Sequence, residues 1–146
     1  MQRIRRSSSR SAFTIIEVIV IVVILGILAA VIAPRLLQRV GQSKVSVAKA
    51  NAESLASATR QYILDCGMPE SGASIVVLWE RPANVNEATW KGPYVENRDS
   101  LRDPWGNDYA LVVPPSVNAD FDIVSLGRDG QSGGEGEDSD IINGKR

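Results

Sequence analysis

Apolar residues are unevenly distributed along this chain, and one long run lies close to its start. Residues 13–33 read FTIIEVIVIVVILGILAAVIA, and the single charged residue among them is Glu17. A helix needs about 20 apolar residues to cross the hydrocarbon core of a bilayer. The run therefore predicts a membrane-spanning helix that carries one carboxylate near its beginning.

Beyond this run the pattern changes to that of an amphipathic helix. Apolar or small residues recur at steps of three and four with charged residues between them, at Leu37, Val40, Ala48, Ala52, Leu55, Ala56, Thr59, Tyr62 and Ile63. This spacing predicts a helix that continues to about Asp65, with Gly67 as its C-terminal stop. Because proline removes a backbone hydrogen bond from a helix interior, we expect Pro34 to kink or loosen it.

Short elements separated by Pro and Gly follow this helix. Residues 74–79 fit either a short strand or a helical turn. Residues 103–109, DPWGNDY, place Asp, Pro and Gly at the first, second and fourth positions of a type I turn. Strands are predicted over residues 109–113 and 120–125. The fold class is therefore α+β, with one long N-terminal helix packed against a small antiparallel sheet.

Charge and composition exclude several classes of function. The first twelve residues hold four arginines and no acid, so the remaining chain has 12 of the 16 basic residues against all 17 acidic ones, a net charge of −5. A nucleic-acid-binding body needs a basic face, so we expect no nucleic-acid partner. The chain has no histidine and one cysteine, Cys66. Histidine-dependent catalysis and an intramolecular disulfide are therefore excluded, and we expect no enzyme.

The C-terminal region holds a second distinctive segment, residues 125–141, SLGRDGQSGGEGEDSDI. Acids and glycines are interspersed there, and the segment ends at Ile141, which Ile142 follows. Carboxylates and backbone carbonyls are the ligands of Ca²⁺, which takes about six to eight oxygens. The spacing does not fit an EF-hand, and a single G-G-x-G-x-D is too short for stacked calcium repeats. A structural calcium loop and a flexible acidic tail both remain open from these residues.

The segment SAFTIIEVIVIVVILGILAAVIAP resembles the leader and N-terminal helix of type IV pilins and type II secretion pseudopilins. The resemblance implies that a prepilin peptidase cuts between Ala12 and Phe13 and methylates the amine of Phe13. The leader of the family ends in glycine, and this chain has Ala12 at that position. The resemblance also implies that this amine pairs with Glu17 of a neighbouring subunit, and that Pro34 is the usual helix proline. A well-aligned pair of this kind would explain an acid in an apolar helix.

The C-terminal half resembles the major pseudopilins of type II secretion systems, through DPWG at residues 103–106, SLG at 125–127 and GGEGED at 133–138. The resemblance implies structural calcium bound by Asp129, Asp138 and Asp140 and by the backbone carbonyl of Leu126. Glu135 and Glu137 are expected to be solvated. Type IV pilins commonly close this region with a disulfide, which Cys66 alone cannot form, so a metal-closed loop favours the pseudopilin family.

The resemblance implies a structural subunit with three parts: a cleaved basic leader at residues 1–12, a membrane and filament-core helix at 13–33, and a periplasmic body at 34–146. Such a subunit lies in the bacterial inner membrane with its N-terminus in the cytoplasm before it joins a periplasmic filament that drives export across the outer membrane. Expected partners are further copies of the chain, minor pseudopilins, an inner-membrane assembly platform and the prepilin peptidase. Two alternatives remain, a pilin for adhesion or DNA uptake and a membrane-tethered calcium-binding module that forms no filament.

Overall fold

The computed structural model describes residues 14–145, which fall into two compact units divided between residues 38 and 39. Helix α1, Ile15–Cys66, contributes residues to both units and contains Pro34. Ala12 and Phe13 lie outside the described residues. The long helix expected from the apolar and amphipathic patterns is therefore confirmed from Ile15 onward.

The first unit is the apolar part of α1. The side-chain hydroxyl of Thr14 accepts a hydrogen bond from the backbone N–H of Glu17 at 3.3 Å, which satisfies one of the donors that a helix start leaves without a partner. Every large aliphatic side chain from Ile15 to Ile32 is between 45% and 81% exposed. By length and composition, α1 is also the one helix of residues 14–145 that could span a membrane, with a mean hydropathy of 3.3 in its apolar window.

In the second unit one face of α1 enters the hydrophobic core. Its buried residues are at most 3% exposed and are Ala48, Ala52, Leu55, Ala56, Thr59 and Tyr62. The predicted stripe is wrong at Val40, which is 57% exposed, because the neighbouring Gly41 is the buried position at that level of the helix. The side chain of Leu37, assigned to the same stripe, is outside the part of the chain that the structure describes.

Capping contacts define two local features. Helix α1 ends at Cys66, and Gly67 follows with φ +85° and donates its N–H to the carbonyl of Ile63 at 2.9 Å, as a left-handed cap requires. The predicted stop is confirmed. Residues 74–79 form a helical turn rather than a strand: a 3₁₀ helix spans Ile75–Leu78, and the Ser74 hydroxyl accepts the N–H of Val76 at 3.3 Å.

Three short strands form an antiparallel sheet in the order β1-β2-β3. Their bounds are Ala110–Val112 for β1, Asp122–Ser125 for β2 and Ile141–Ile142 for β3. Leu111 pairs with Ile123, and Ser125 pairs with Ile141. Both predicted strands are present, although each is shorter than the pattern indicated. The α+β class is confirmed.

The sheet and α1 share one core in the second unit. Leu111, Phe121 and Ile123 are buried in the same cluster as the apolar face of the helix. The Tyr109 hydroxyl donates a hydrogen bond to the carbonyl of Ala48 at 2.9 Å. Burial raises the pKa of Tyr109, so this phenol stays a neutral donor. Small residues such as Ala48 therefore let a tyrosine from the loop before β1 reach the backbone of the helix.

A buried carboxylate organises the loop between β1 and β2. Asp122 is fully buried, and its two oxygens accept hydrogen bonds from the backbone N–H groups of Ser116, Val117 and Asn118 at 2.6–2.9 Å. The side chains of Ser116 and Asn118 also donate to it. Burial alone raises the pKa of Asp122, but these donors together outweigh it and lower the pKa to about 2.

Replacing Asp122 with Asn should remove a pH-dependent part of the stability. Since the pKa in the fold lies below the ordinary value of 3.8, the ionised group stabilises the protein above about pH 4, and this contribution is lost as the pH falls toward 2. The depression corresponds to about 2 kcal/mol of unfolding free energy. Urea titrations of the full chain in detergent micelles should show this loss in the wild type and a much smaller loss in Asp122→Asn.

The matched control is Asp120→Asn, because Asp120 is an exposed carboxylate two residues away. This variant should keep the wild-type response to acid. A wild type and Asp122→Asn that lose stability equally on acidification would contradict the assignment to Asp122.

Candidate functional site

The acidic, glycine-rich segment is a closed loop, which we call the acidic loop, residues 126–140. Strand β2 ends at Ser125 immediately before it, and β3 begins at Ile141 immediately after it. Ser125 and Ile141 are direct partners in the sheet, so the two ends of the loop lie side by side. The flexible-tail interpretation is therefore excluded, because both ends are held by strand pairing.

The two limbs of the acidic loop touch through their backbones. Gly127 has φ +69°, and a Cβ there would come within 3.0 Å of backbone atoms of Glu137 and Asp138, so only glycine fits. The next residue, Arg128, donates its N–H to the carbonyl of Glu137 at 2.9 Å. The first and last parts of the loop are thus in contact two to four residues beyond the ends of the strands.

The DPWG turn holds the start of the acidic loop. The N–H of Gly106 bonds to the carbonyl of Asp103 at 3.0 Å, which confirms the predicted turn. The Oδ2 atom of Asp103 accepts a hydrogen bond from the Ser125 hydroxyl at 2.7 Å. The side-chain amide of Asn107 donates to the carbonyl of Gly127 at 2.8 Å. Two segments that are separate in the sequence therefore form one structural site.

The predicted metal-binding acids have different environments. Asp140 accepts the Ser132 hydroxyl and the N–H of Gly133 with Oδ2, at 3.2 and 3.0 Å, while its Oδ1 is buried and has no hydrogen-bond partner. Asp129 accepts the N–H of Gln131 at 3.1 Å. Asp138 is bound by the guanidinium of Arg128 through both oxygens, each at 3.0 Å.

These donors fit calcium in part. A buried carboxylate oxygen without a partner loses its hydration, and a cation would compensate for that loss. The free Oδ1 of Asp140 is such an oxygen, and the Asp129 carboxylate and the Leu126 carbonyl belong to the same loop. Across residues 14–145, however, no three acidic or thiol side chains converge closely enough to hold one metal ion. A cation here would depend on backbone carbonyls as well as on carboxylates.

Glu137 has a structural role that the sequence pattern did not reveal. It was expected to be solvated, but the indole Nε1 of Trp105 donates to its Oε2 at 3.2 Å, and its side chain lies against Gly41 of α1. A Cβ at residue 41 would come closer than 3.0 Å to three atoms of Glu137. A glycine inside a helix lowers helix stability by about 1 kcal/mol relative to alanine. The presence of Gly41 within the amphipathic pattern was therefore the one sequence signal that another segment approaches the helix closely there. Glu135, in contrast, is exposed as expected.

The residues assigned to processing and assembly are only partly described. Ala12 and Phe13 are outside the described residues. Glu17 lies exposed in the first turn of α1, and Pro34 lies exposed inside the same helix. The first unit therefore presents an apolar helix with a carboxylate near its start, and the second unit presents the acidic loop.

A long N-terminal helix, a small antiparallel sheet packed on its second part and a loop closed next to that sheet define a pilin-like subunit. Two family models match the chain: the prokaryotic N-terminal methylation motif over residues 7–33, and type II secretion system protein G over residues 35–144. The chain belongs to the type II secretion system protein G family.

Named relatives and a solved structure agree with this family. The chain is 40% identical to type II secretion system core protein G of Pseudomonas aeruginosa, over 92% of this chain and 94% of that protein. It is 35% identical to the protein of the same name from Vibrio cholerae, over 95% and 94%. The crystal structure of the major pseudopilin of enterohaemorrhagic Escherichia coli matches with a TM-score of 0.57 and 25% identity, over 75% of this chain and 94% of that one. The family consists of structural subunits rather than enzymes.

Gly41→Ala should destabilise the second unit, although alanine is the better helix former. The added methyl group pushes Glu137 away from Trp105 and breaks a hydrogen bond to a carboxylate, which typically contributes about 1.5–3 kcal/mol. We expect a net loss of about 1 kcal/mol after the helix-propensity gain of about 1 kcal/mol. Urea unfolding of the full chain in micelles, followed by tryptophan fluorescence, measures it.

The matched background is Glu137→Ala, in which the obstructing side chain is absent. There the same Gly41→Ala change should stabilise the protein by about 0.5–1 kcal/mol. A change of the same sign and size in both backgrounds would show that Glu137 does not restrict residue 41.

Proposed function

We propose that this protein is a structural subunit of a type II secretion pseudopilus. A prepilin peptidase cuts the precursor between Ala12 and Phe13 and methylates the new amine of Phe13. The mature chain then leaves the inner membrane and polymerises into a periplasmic filament that drives protein export across the outer membrane. The subunit itself performs no chemical step.

The observation that carries the proposal is the exposure of the apolar helix. Side chains from Ile15 to Ile32 are about half exposed or more in the isolated chain. Apolar surface of this extent requires a non-aqueous environment. Lipid provides one before assembly, and the same helices of neighbouring subunits provide another after it.

Glu17 distinguishes these two environments. In lipid, a carboxylate near the start of a helix costs free energy unless it is neutralised. In a bundle of copies, the amine of Phe13 from a neighbour would supply the missing positive charge. One partner without the other is strongly unfavourable, so the pair sets the register between subunits. Such stacking joins unlike surfaces and produces an open helical filament.

The proposed topology follows from charge. Four arginines precede the apolar helix, whereas the chain that follows is acidic overall. Positive charge flanking a membrane helix favours the cytoplasmic side, so the N-terminus lies in the cytoplasm and the second unit in the periplasm. Minor pseudopilins and an inner-membrane assembly platform are the further proposed partners. The net negative charge gives no support to DNA uptake as the alternative function.

The acidic loop is the proposed site of a structural calcium ion. The carboxylates of Asp140 and Asp129 and the carbonyl of Leu126 would hold the ion. The carboxylate of Asp138 would become a further ligand if it exchanged its ion pair with Arg128 for the metal. The unpartnered Oδ1 of Asp140 supports this choice. An ion in this loop would link its two limbs and stabilise the folded state, because the site does not exist in the unfolded chain.

Glu17→Ala should abolish filament assembly and leave the second unit folded. Loss of one partner of a buried ion pair costs about 3–5 kcal/mol at every subunit contact. Cells that contain the secretion system and overproduce the chain should yield sedimentable filaments with the wild type and none with the variant. Mass measurement of the sedimented wild-type subunit should give a methylated chain that begins at Phe13.

Val18→Ala is the matched control, since it removes a side chain from the same helical turn without changing charge. It should assemble like the wild type. Filaments of Glu17→Ala at wild-type yield would contradict the intersubunit pair. Absence of filaments from the wild type would favour the membrane-tethered module instead.

Calcium should raise the melting temperature of the full chain in detergent micelles relative to the same chain in chelator. A ligand at 100 times its Kd stabilises the folded state by about 2.7 kcal/mol. Asp140→Asn should lose most of this rise because it neutralises the carboxylate that has a free buried oxygen. Asp120→Asn, an exposed carboxylate outside the acidic loop, should keep it. No calcium-dependent rise in the wild type would disprove the metal assignment.

A further inference from the structure

Arg128 forms a bridge across the acidic loop. Its Nε and Nη2 atoms donate to the two oxygens of Asp138, each at 3.0 Å, in the fork geometry that makes guanidinium–carboxylate pairs directional. Its Nη1 lies 4.0 Å from the carboxylate of Glu137. One arginine side chain therefore faces two of the acids in the loop.

The backbone places this arginine at its partner. The N–H of Arg128 bonds to the carbonyl of Glu137, and Gly127 packs directly against the backbone of Glu137 and Asp138. The ion pair thus joins limbs that are already in contact, so little extra conformational freedom is lost when it forms. The pair of Arg102 with Asp108 is likewise held by a backbone bridge, but it is a single contact of 3.1 Å and lies outside the acidic loop.

An arginine at this position affects calcium in two ways. Both oxygens of Asp138 bind the guanidinium, which neutralises the carboxylate and occupies the side that a bidentate calcium ion would take. The positive charge of the guanidinium would also repel a divalent cation bound in the same loop. Both effects act against metal binding. When metal is absent, the same guanidinium compensates for part of the negative charge of the loop.

We propose that Arg128 is the resident cation of the acidic loop: its guanidinium competes with calcium for Asp138 and thereby sets the calcium concentration at which the loop binds metal. This inference rests on the proposed calcium site. The loop then has two closed forms. In one the guanidinium holds Asp138, and in the other calcium takes that carboxylate. The protein consequently keeps the loop folded in a medium poor in calcium.

The test measures calcium binding by calorimetry and melting temperature in chelator, both on the full chain in detergent micelles. Arg128→Gln should bind calcium roughly tenfold more tightly, because it frees Asp138 and removes a repelling charge. In chelator it should melt at a lower temperature than the wild type. Arg128→Lys keeps the charge but loses the fork, so its calcium affinity should lie between the two. Arg102→Gln, the control for loss of an exposed arginine, should match the wild type in calcium affinity.

Competition for Asp138, rather than repulsion alone, is tested in an Asp138→Asn background. There Arg128→Gln should give a clearly smaller gain in affinity, because only the removal of the repelling charge remains. A tenfold gain that persists without the Asp138 carboxylate would overturn the proposal, and so would an Arg128→Gln variant that binds calcium like the wild type. Calcium binding to neither the wild type nor Arg128→Gln would overturn the calcium site as well.

Discussion

The apolar helix imposes the main constraint on this protein, because large aliphatic side chains cannot remain in contact with water over the whole stretch from Ile15 to Ile32. Because these side chains are exposed, one copy of the chain does not bury its own apolar surface and needs a non-aqueous environment around this part of the helix. The second unit, in contrast, has its own core and buries its part of α1. The two parts of α1 are therefore stabilised differently. The part in the second unit packs within the chain, and the apolar part in the first unit needs lipid or further copies of the chain.

The second unit is organised around contacts between distant segments. Tyr109 bonds to the backbone of α1, Asp103 bonds to Ser125, and Trp105 bonds to Glu137. Each contact involves residues at or beside the DPWG turn, which therefore connects the helix, the sheet and the acidic loop. Because the acidic loop contains few apolar side chains, hydrogen bonds and ion pairs must hold it, and their number explains how so polar a segment keeps a defined shape.

Periodic and local features could be predicted from the sequence. The helix, its stop at Gly67, the DPWG turn and two strands depend on contacts within a few residues, so the residue pattern indicates them directly. Residues 74–79 remained ambiguous because a short apolar run suits a strand or a turn equally, and the hydroxyl of Ser74 decides the matter. Val40 was misplaced because the boundary of a buried stripe depends on what covers the helix, which periodicity does not reveal.

By itself the sequence determined the class of the protein, through an apolar run of membrane length, an acid at Glu17 and an acidic, glycine-rich segment near the C-terminus. These are properties of composition and order, and they hold whatever the packing. Only the tertiary structure decided which acids of the loop have partners. Arg128 holds Asp138, Glu137 lies on Gly41, and one oxygen of Asp140 stays without a partner. The physical reason is that the sequence identifies a carboxylate but not its partners. The groups that compensate its charge come from other parts of the chain and reach it only on folding.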